Sequence, residues 1–299
     1  MRHRVPSFAT AILVIGPLVL AADPTLPPGV AVEEQPRDPK AAKVVLVAGS
    51  NYYKPGEHEY VAGCAVLAEL LRQTPGVAPV LALDWPTKPE TFAGARAVVF
   101  FLDGGDRHPF LKADRLAQVQ KLTDTGAGVV LLHQGIDVPK DLGDRMRALT
   151  GAAWEKGPGA RAHWVAEFRS FPDHPIFRGV TPFKIDDGWL YQTRFAPGMK
   201  GVTPLLRTAP PKSPPGKEAS DSAIVAWAYE RPADVGKPGR AFVFTGGHLH
   251  ASFAEEGYRR FLVNGILWSA GIEVPASGAP VALNPAELGK YLAKPPEKK

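Results

Sequence analysis

The chemistry open to this chain centres on imidazole. Of its eight histidines, His58, His133, His248 and His250 stand near the ends of apolar runs, with Glu57, Asp103 and Asp106 at comparable positions. Three or four imidazole nitrogens with one or two carboxylate oxygens suit zinc or a similar divalent ion. Such an ion polarises a carbonyl or lowers the pKa of a bound water. Without metal, His58, His133 and His248 would act as general acid and base, since their ordinary pKa of about 6.5 lies near ambient pH. Glu57, Asp187 and Glu255 are the carboxylates that would orient these rings and fix their tautomers. A structural reading competes throughout: a strand-end imidazole can bond a backbone carbonyl. On an extended segment, His248-Leu249-His250 puts both rings on one face with or without an ion. His163, before Trp164, falls on the structural side of that balance, and His108 and His174, each before a proline, read as turn residues.

Sugar-type ligands need an aromatic face for their apolar side and polar partners for their hydroxyls. Trp154, Trp164, Trp189 and Tyr191 lie in an irregular middle section that would cover a crevice, whereas Trp227 and Trp268 read as core. Within Asp186-Asp187-Gly188-Trp189-Leu190-Tyr191, the expected substrate contacts are Asp187, Trp189 and Tyr191.

These residues must be positioned by regular elements. Lys43 to Gly49 is a continuous apolar run of the kind buried on both faces of a parallel sheet. A helix is expected over Tyr60 to Arg72, with Val61, Cys64, Ala65, Ala68 and Leu71 on one face, so Cys64 reads as core. Strands follow at Val77 to Leu83, Ala97 to Leu102 and Gly128 to His133, with a helix over Ala113 to Thr125 before the last. Further strands are expected at His163 to Phe168, Val202 to Arg207, Ala223 to Tyr229 and Arg240 to Thr245, then a helix from Ala254 to Ala270. Alternation of this kind implies a three-layer α/β/α fold on a doubly wound, mostly parallel sheet of the flavodoxin-like type. Ligands of such sheets sit at the carboxyl ends of the strands, where His58, His133 and His248 would converge.

Four segments carry a family resemblance: Gly56-Glu57-His58-Glu59-Tyr60; Val129-Val130-Leu131-Leu132-His133-Gln134-Gly135; His174-Pro175-Ile176 with Asp186 and Asp187; and Gly239-Arg240 through Gly246-Gly247-His248. In their order and spacing they resemble the trehalose-utilisation (ThuA-like) family of the class I glutamine amidotransferase-like superfamily, over about Lys43 to Pro275. The resemblance implies an amidotransferase-like fold with a role in sugar or keto-sugar metabolism. Amidotransferases carry a nucleophilic cysteine at the strand-to-helix elbow; His133 occupies that place here, which excludes glutamine hydrolysis through a cysteine there. Ile136 and Asp137 follow Gly135 where relatives often show a second histidine, and His250 is additional to the usual single histidine. Metal-assisted hydrolysis, elimination or isomerisation would all use such a site, and a non-catalytic carbohydrate-binding module is the alternative.

Composition sets limits on partners. Net charge is +5 and pI about 9.2, but the basic residues are scattered, which argues against nucleic acid as partner. Gly104-Gly105 and Gly246-Gly247 do not fit phosphate-binding spacings, so no nucleotide cofactor is expected. Residues 1–22 pass from basic through apolar to small residues, as a secretory signal peptide does. The expectation is an exported protein, periplasmic or extracellular, with no membrane anchor once the leader is cleaved. A Pro-rich linker over 23–41, a domain over 42–275 and a tail over 276–299 complete the division, and the single Cys64 leaves no internal disulfide.

Overall fold

The computed structural model describes residues 26–27, 30–112, 114–210, 224–235 and 237–292. The leader, the Pro211–Lys217 part of the expected exposed loop and the Lys294–Lys299 end of the tail lie outside them. In chain order the elements are β1 (Ala42–Ala48), α1 (Tyr60–Arg72), β2 (Val77–Leu83), α2 (Pro89–Phe92), β3 (Ala97–Phe101), α3 (Arg115–Asp124), β4 (Gly128–Leu132), α4 (Gly143–Thr150) and β5 (Ala152–Ala153). Then come β6 (Ala160–Phe168), β7 (Phe183–Tyr191), β8 (Arg194–Phe195), β9 (Val202–Arg207), β10 (Ile224–Glu230), β11 (Arg240–Phe244) and α5 (Glu256–Ser269).

Seven strands form the main sheet in the order β2-β1-β3-β4-β11-β10-β9. The β2-β1-β3-β4-β11 part is parallel, and β10 runs antiparallel to both its neighbours. The expected mostly parallel, three-layer α/β fold is therefore what the chain adopts. Alternate residues of β1 feed two cores. Val44, Leu46 and Ala48 pack with α1 and α5, while Val45 and Val47 pack with Leu116 and Val119 of α3 and Met146 and Leu149 of α4. Because both faces are covered, the central strands are apolar at nearly every position. Cys64 is fully buried on α1, and burial pushes its thiol pKa up, away from nucleophilic reactivity.

Both segments that flank the expected domain make contacts with it. The segment assigned as linker is partly built in: Val32 bridges Leu81 of β2. The buried Glu33 carboxylate accepts from the Thr87 and Lys88 N–H groups, both at 2.9 Å, and from the Thr87 and Thr91 hydroxyls. A buried carboxylate with four donors fixes its segment. The tail likewise folds back, burying Ala279, Val281, Leu288 and Tyr291 against α1 and α5. Asn264 of α5 accepts from the Ala279 N–H at 2.9 Å and donates to the Ile176 and Arg178 carbonyls.

The chain also contains a strand that its pattern hides. β7 pairs antiparallel with β6 over nine residues, from Ala160↔Tyr191 to Phe168↔Phe183. This ribbon crosses the carboxyl edge of the sheet and carries Asp187 inward. Among the described residues no helix is long and apolar enough to cross a membrane.

Candidate functional site

Because β4 and β11 are parallel neighbours with Leu132 opposite Phe244, the residues that follow them, His133 and Thr245, emerge side by side. The chain turns at once after β4: His133 has φ 52°, a conformation that non-glycine residues adopt only where surrounding structure enforces it. Gly135 permits the turn, since a Cβ there would lie 3.0 Å from the Phe100 carbonyl oxygen. His133 Nδ1–H donates to the Thr245 carbonyl at 3.1 Å, which fixes the tautomer with a lone pair on Nε2. That Nε2 is buried and has no hydrogen-bond partner.

His58 reaches the same point from the β1–α1 loop, also with positive φ (53°). Its backbone N–H donates to the His248 carbonyl at 2.8 Å, and Glu57 pairs with Leu249 in a short antiparallel bridge, so the two histidine loops are tied together. Tyr60 OH donates to Gln134 Oε1 (3.3 Å) and lies 2.8 Å from His58 Nδ1, which therefore serves as donor and leaves Nε2 free. Tyr53 stacks on the His58 ring at 3.6 Å and donates to Asp103, which also holds Arg107.

His248 is placed by Asp187. This fully buried carboxylate accepts from the Gly188, Gly247 and His248 N–H groups, each at 2.8 Å, and from Leu249 at 3.2 Å. Desolvation raises its pKa to about 6, with those four N–H bonds opposing the rise. Gly188 supplies the room: a Cβ there would lie 2.9 Å from His248 Cβ and Cγ and 3.0 Å from His163 Cε1.

The three imidazoles thus meet, each contributing a nitrogen within 4.8 Å of the other two. Burial, and next the neighbouring His248 ring, lowers the His58 pKa to about 3; burial and then His163 lower that of His248 to about 4, against the pull of Glu57. Burial drives His133 well below its ordinary value. All three are neutral at ordinary pH, the state in which imidazole ligates metals. The donor set fits a divalent ion, and the orphaned His133 Nε2 is the atom that most needs one. Zinc–imidazole bonds of about 2.0–2.1 Å would draw the donors closer together.

His250 stands apart from this group. The chain enters a 3-10 helix at His250, so the extended geometry that would align it with His248 is lost. Its Nε2 faces the Leu288 carbonyl at 3.4 Å instead. Trp189 is core rather than substrate-facing: it is 1% exposed, donates to the Trp164 carbonyl at 2.9 Å and packs against Phe244. Tyr191 is half-buried and packs edge-on to Trp164, while the Asp187 carboxylate accepts from backbone N–H groups. Glu57 is half-buried, 3.9 Å from His248 Nε2, while Glu255 and Asp106 are exposed. His163 lies with its ring 4.4 Å from that of His248, closer to the site than its place before a tryptophan indicated. Tyr53, Tyr60, Gln134 and Thr245 were not singled out by type; their adjacency to His58, His133 and the end of β11 was the available signal.

A family model described as ThuA, trehalose utilisation, matches residues 43–269. Two solved structures share the fold: a ThuA-like protein from Parabacteroides merdae, 14% identical, TM-score 0.52, covering 79% of this chain and 92% of that one; and one from Bacteroides uniformis, 14% identical, TM-score 0.53, covering 79% and 94%. No curated protein matches the sequence.

Proposed function

The chain belongs to the ThuA trehalose-utilisation family, a carbohydrate-related family, and from that premise we propose that it is an exported protein acting on a sugar or keto-sugar at the three-imidazole cluster. His58, His133 and His248 would hold a divalent ion, with zinc favoured by the all-nitrogen donor set. When bound, the ion would supply Lewis acidity toward a sugar carbonyl or hydroxyl. The observation that supports this reading is the buried, partnerless Nε2 of His133 on a backbone bent to positive φ.

The chain's own groups divide the remaining work. The Thr245 carbonyl and Tyr60 hydroxyl hold His133 and His58 in the tautomers that present Nε2. Asp187 fixes the backbone that carries His248. Glu57 Oε2, half-buried beside His248, is the carboxylate oxygen positioned to take a proton from a substrate hydroxyl or a water. Support for export comes from residues 1–22, whose order of basic, apolar and small residues is that of a cleaved leader.

The test is metal analysis of dialysed wild type beside His133→Ala, followed by a screen of sugars and keto-sugars. One zinc per chain in the wild type and none in the variant is expected. A wild type that takes up no divalent ion would sink the metal-centred reading.

A further inference from the structure

Three buried carboxylates near the imidazoles are committed to partners. Asp187 accepts from four N–H groups, Asp103 holds Tyr53, Arg107 and the Gly104 N–H, and Glu155 holds Arg147 and Arg194. Asp137 and Arg161 are not. Arg161 Nη2 lies 3.5 Å from Asp137 Oδ2, and neither side chain makes a hydrogen bond among the described residues. Both are nevertheless held in place by Trp154. Its backbone bridges Asp137: the Trp154 N–H donates to the Ile136 carbonyl at 3.0 Å, and its carbonyl accepts from the Val138 N–H at 3.1 Å. Its indole, fixed by donation to the Ala160 and Tyr191 carbonyls, carries the Arg161 guanidinium 4.7 Å from the ring centre. Gly104 packs against Asp137 so closely that a Cβ there would lie 2.6 Å from Asp137 Cβ.

Short stretches of backbone tie this pair to the imidazoles on two sides. Asp137 ends the tight turn that begins at His133. Arg161 precedes His163 by two residues on β6, so the two share a face about 7 Å apart, and the His163 ring lies 4.4 Å from that of His248. After burial and the neighbouring rings of His248 and His163, the charge of Arg161 also helps to hold the His58 pKa down. Asp137 is desolvated, which raises its pKa to about 6 against the pull of Arg161, yet its carboxylate still meets solvent. The carboxylate thus needs donors and the guanidinium needs acceptors. A pair of hydroxyls supplies both, each giving its proton to Asp137 while its oxygen accepts from Arg161. An acidic ligand would satisfy Arg161 alone and be repelled by Asp137, and an ammonium would meet the reverse. Resting on the carbohydrate reading above, we propose that Asp137 and Arg161 clamp two adjacent hydroxyls of the sugar ring held at the imidazoles, and so select a neutral sugar.

The experiment measures affinities of glucose, its 2-, 3-, 4- and 6-deoxy analogues and glucuronate by ligand-observed NMR for the wild type, Asp137→Asn and Arg161→Gln, with zinc content recorded for each. Two analogues deoxygenated at adjacent positions should bind the wild type about tenfold more weakly than glucose. Each variant should keep its zinc, bind glucose about tenfold more weakly than the wild type does, and no longer distinguish glucose from those two analogues. Variants that bind glucose as the wild type does, or that lose equal affinity for every neutral sugar, would overturn the clamp and leave the carbohydrate reading standing. So would a preference for glucuronate that is lost in Arg161→Gln and strengthened in Asp137→Asn, which would make Arg161 an acid site. No binding of any of these sugars by the wild type would bring down the carbohydrate reading and the clamp together.

Discussion

His108 and His133 are both buried histidines, and His108 bonds the carbonyl of Gly135, two residues beyond His133, yet they have opposite fates. His108 caps a 3-10 turn: Nδ1 accepts from the Phe110 N–H at 3.1 Å and Nε2 donates to Gly135, so both nitrogens are used. His174 repeats the device, its Nδ1 accepting from Ile176. His133 has one nitrogen satisfied and one empty. A buried polar atom without a partner costs roughly 1–3 kcal/mol, so a fold that keeps one needs a reason to keep it. Burial and residue type fail to distinguish the two positions; the count of satisfied nitrogens does. His108 closes both of its hydrogen bonds internally, whereas His133 leaves Nε2 open toward two neighbouring imidazoles; His250 Nδ1 is likewise buried without a partner, but outside that cluster.

The largest expected effect tests what holds the open cluster together. Asp187→Ala strands the four N–H groups of Gly188, Gly247, His248 and Leu249 in a dry interior. Unfolding in urea should show a loss of about 4 kcal/mol, and zinc uptake should fall with it. A loss below about 1 kcal/mol would mean that the His248 loop is fixed by its pairing with the His58 loop and that Asp187 contributes little.

His108 supplies the next largest effect, through pH. Burial lowers its pKa to about 4, against the Gly135 hydrogen bond, which raises it. An unfolded chain binds the imidazole proton from about pH 6.5 downward, while the folded chain does so only near pH 4. Between those values the unfolded state holds more protons, so this contribution is complete above pH 6.5 and is lost as pH falls. The full loss is about 3 kcal/mol. His108→Asn keeps a cap acceptor for Phe110 but cannot titrate. The metal-free wild type should therefore lose about 3 kcal/mol more than His108→Asn between pH 7 and pH 4, measured by urea unfolding. Parallel profiles would show that His108 is not the closed, neutral partner the comparison requires.

The legible and illegible parts of this molecule differ for physical reasons. Tyr60–Arg72 and Val77–Leu83 take the bounds their periodicity indicates, because apolar spacing directly encodes burial. His58, His133 and His248 were recognisable because a parallel sheet forces strand ends onto one edge. β7 was hidden, since Asp186, Asp187 and Gly188 interrupt its apolar run, and Asp187 is tolerated only because four N–H groups from distant segments meet it. His250 departs from the extended pattern of His248-Leu249-His250 because the chain bends into a 3-10 helix there, which a two-residue alternation does not signal. The packed ends around Glu33 and Leu288 rest on buried side chains scattered among prolines, which have no period to detect.

The smallest effect sharpens the comparison most closely, because it changes one hydrogen bond of an otherwise intact site. In Tyr60→Phe the ring keeps its edge contact with Phe101, at 5.1 Å between centroids, and loses only the hydroxyl between His58 and Gln134. Burial holds that phenol far above its ordinary pKa, so a neutral group is removed and the charge balance is untouched. Stability should change by about 1 kcal/mol. Zinc affinity should fall about tenfold, because the His58 tautomer that presents Nε2 is no longer enforced. Gln134→Ala, which removes only the outer partner, should lose less. If Tyr60→Phe binds zinc as the wild type does, Tyr60 is a closed structural contact like those of His108, and the open character of the site belongs to His133 and His248.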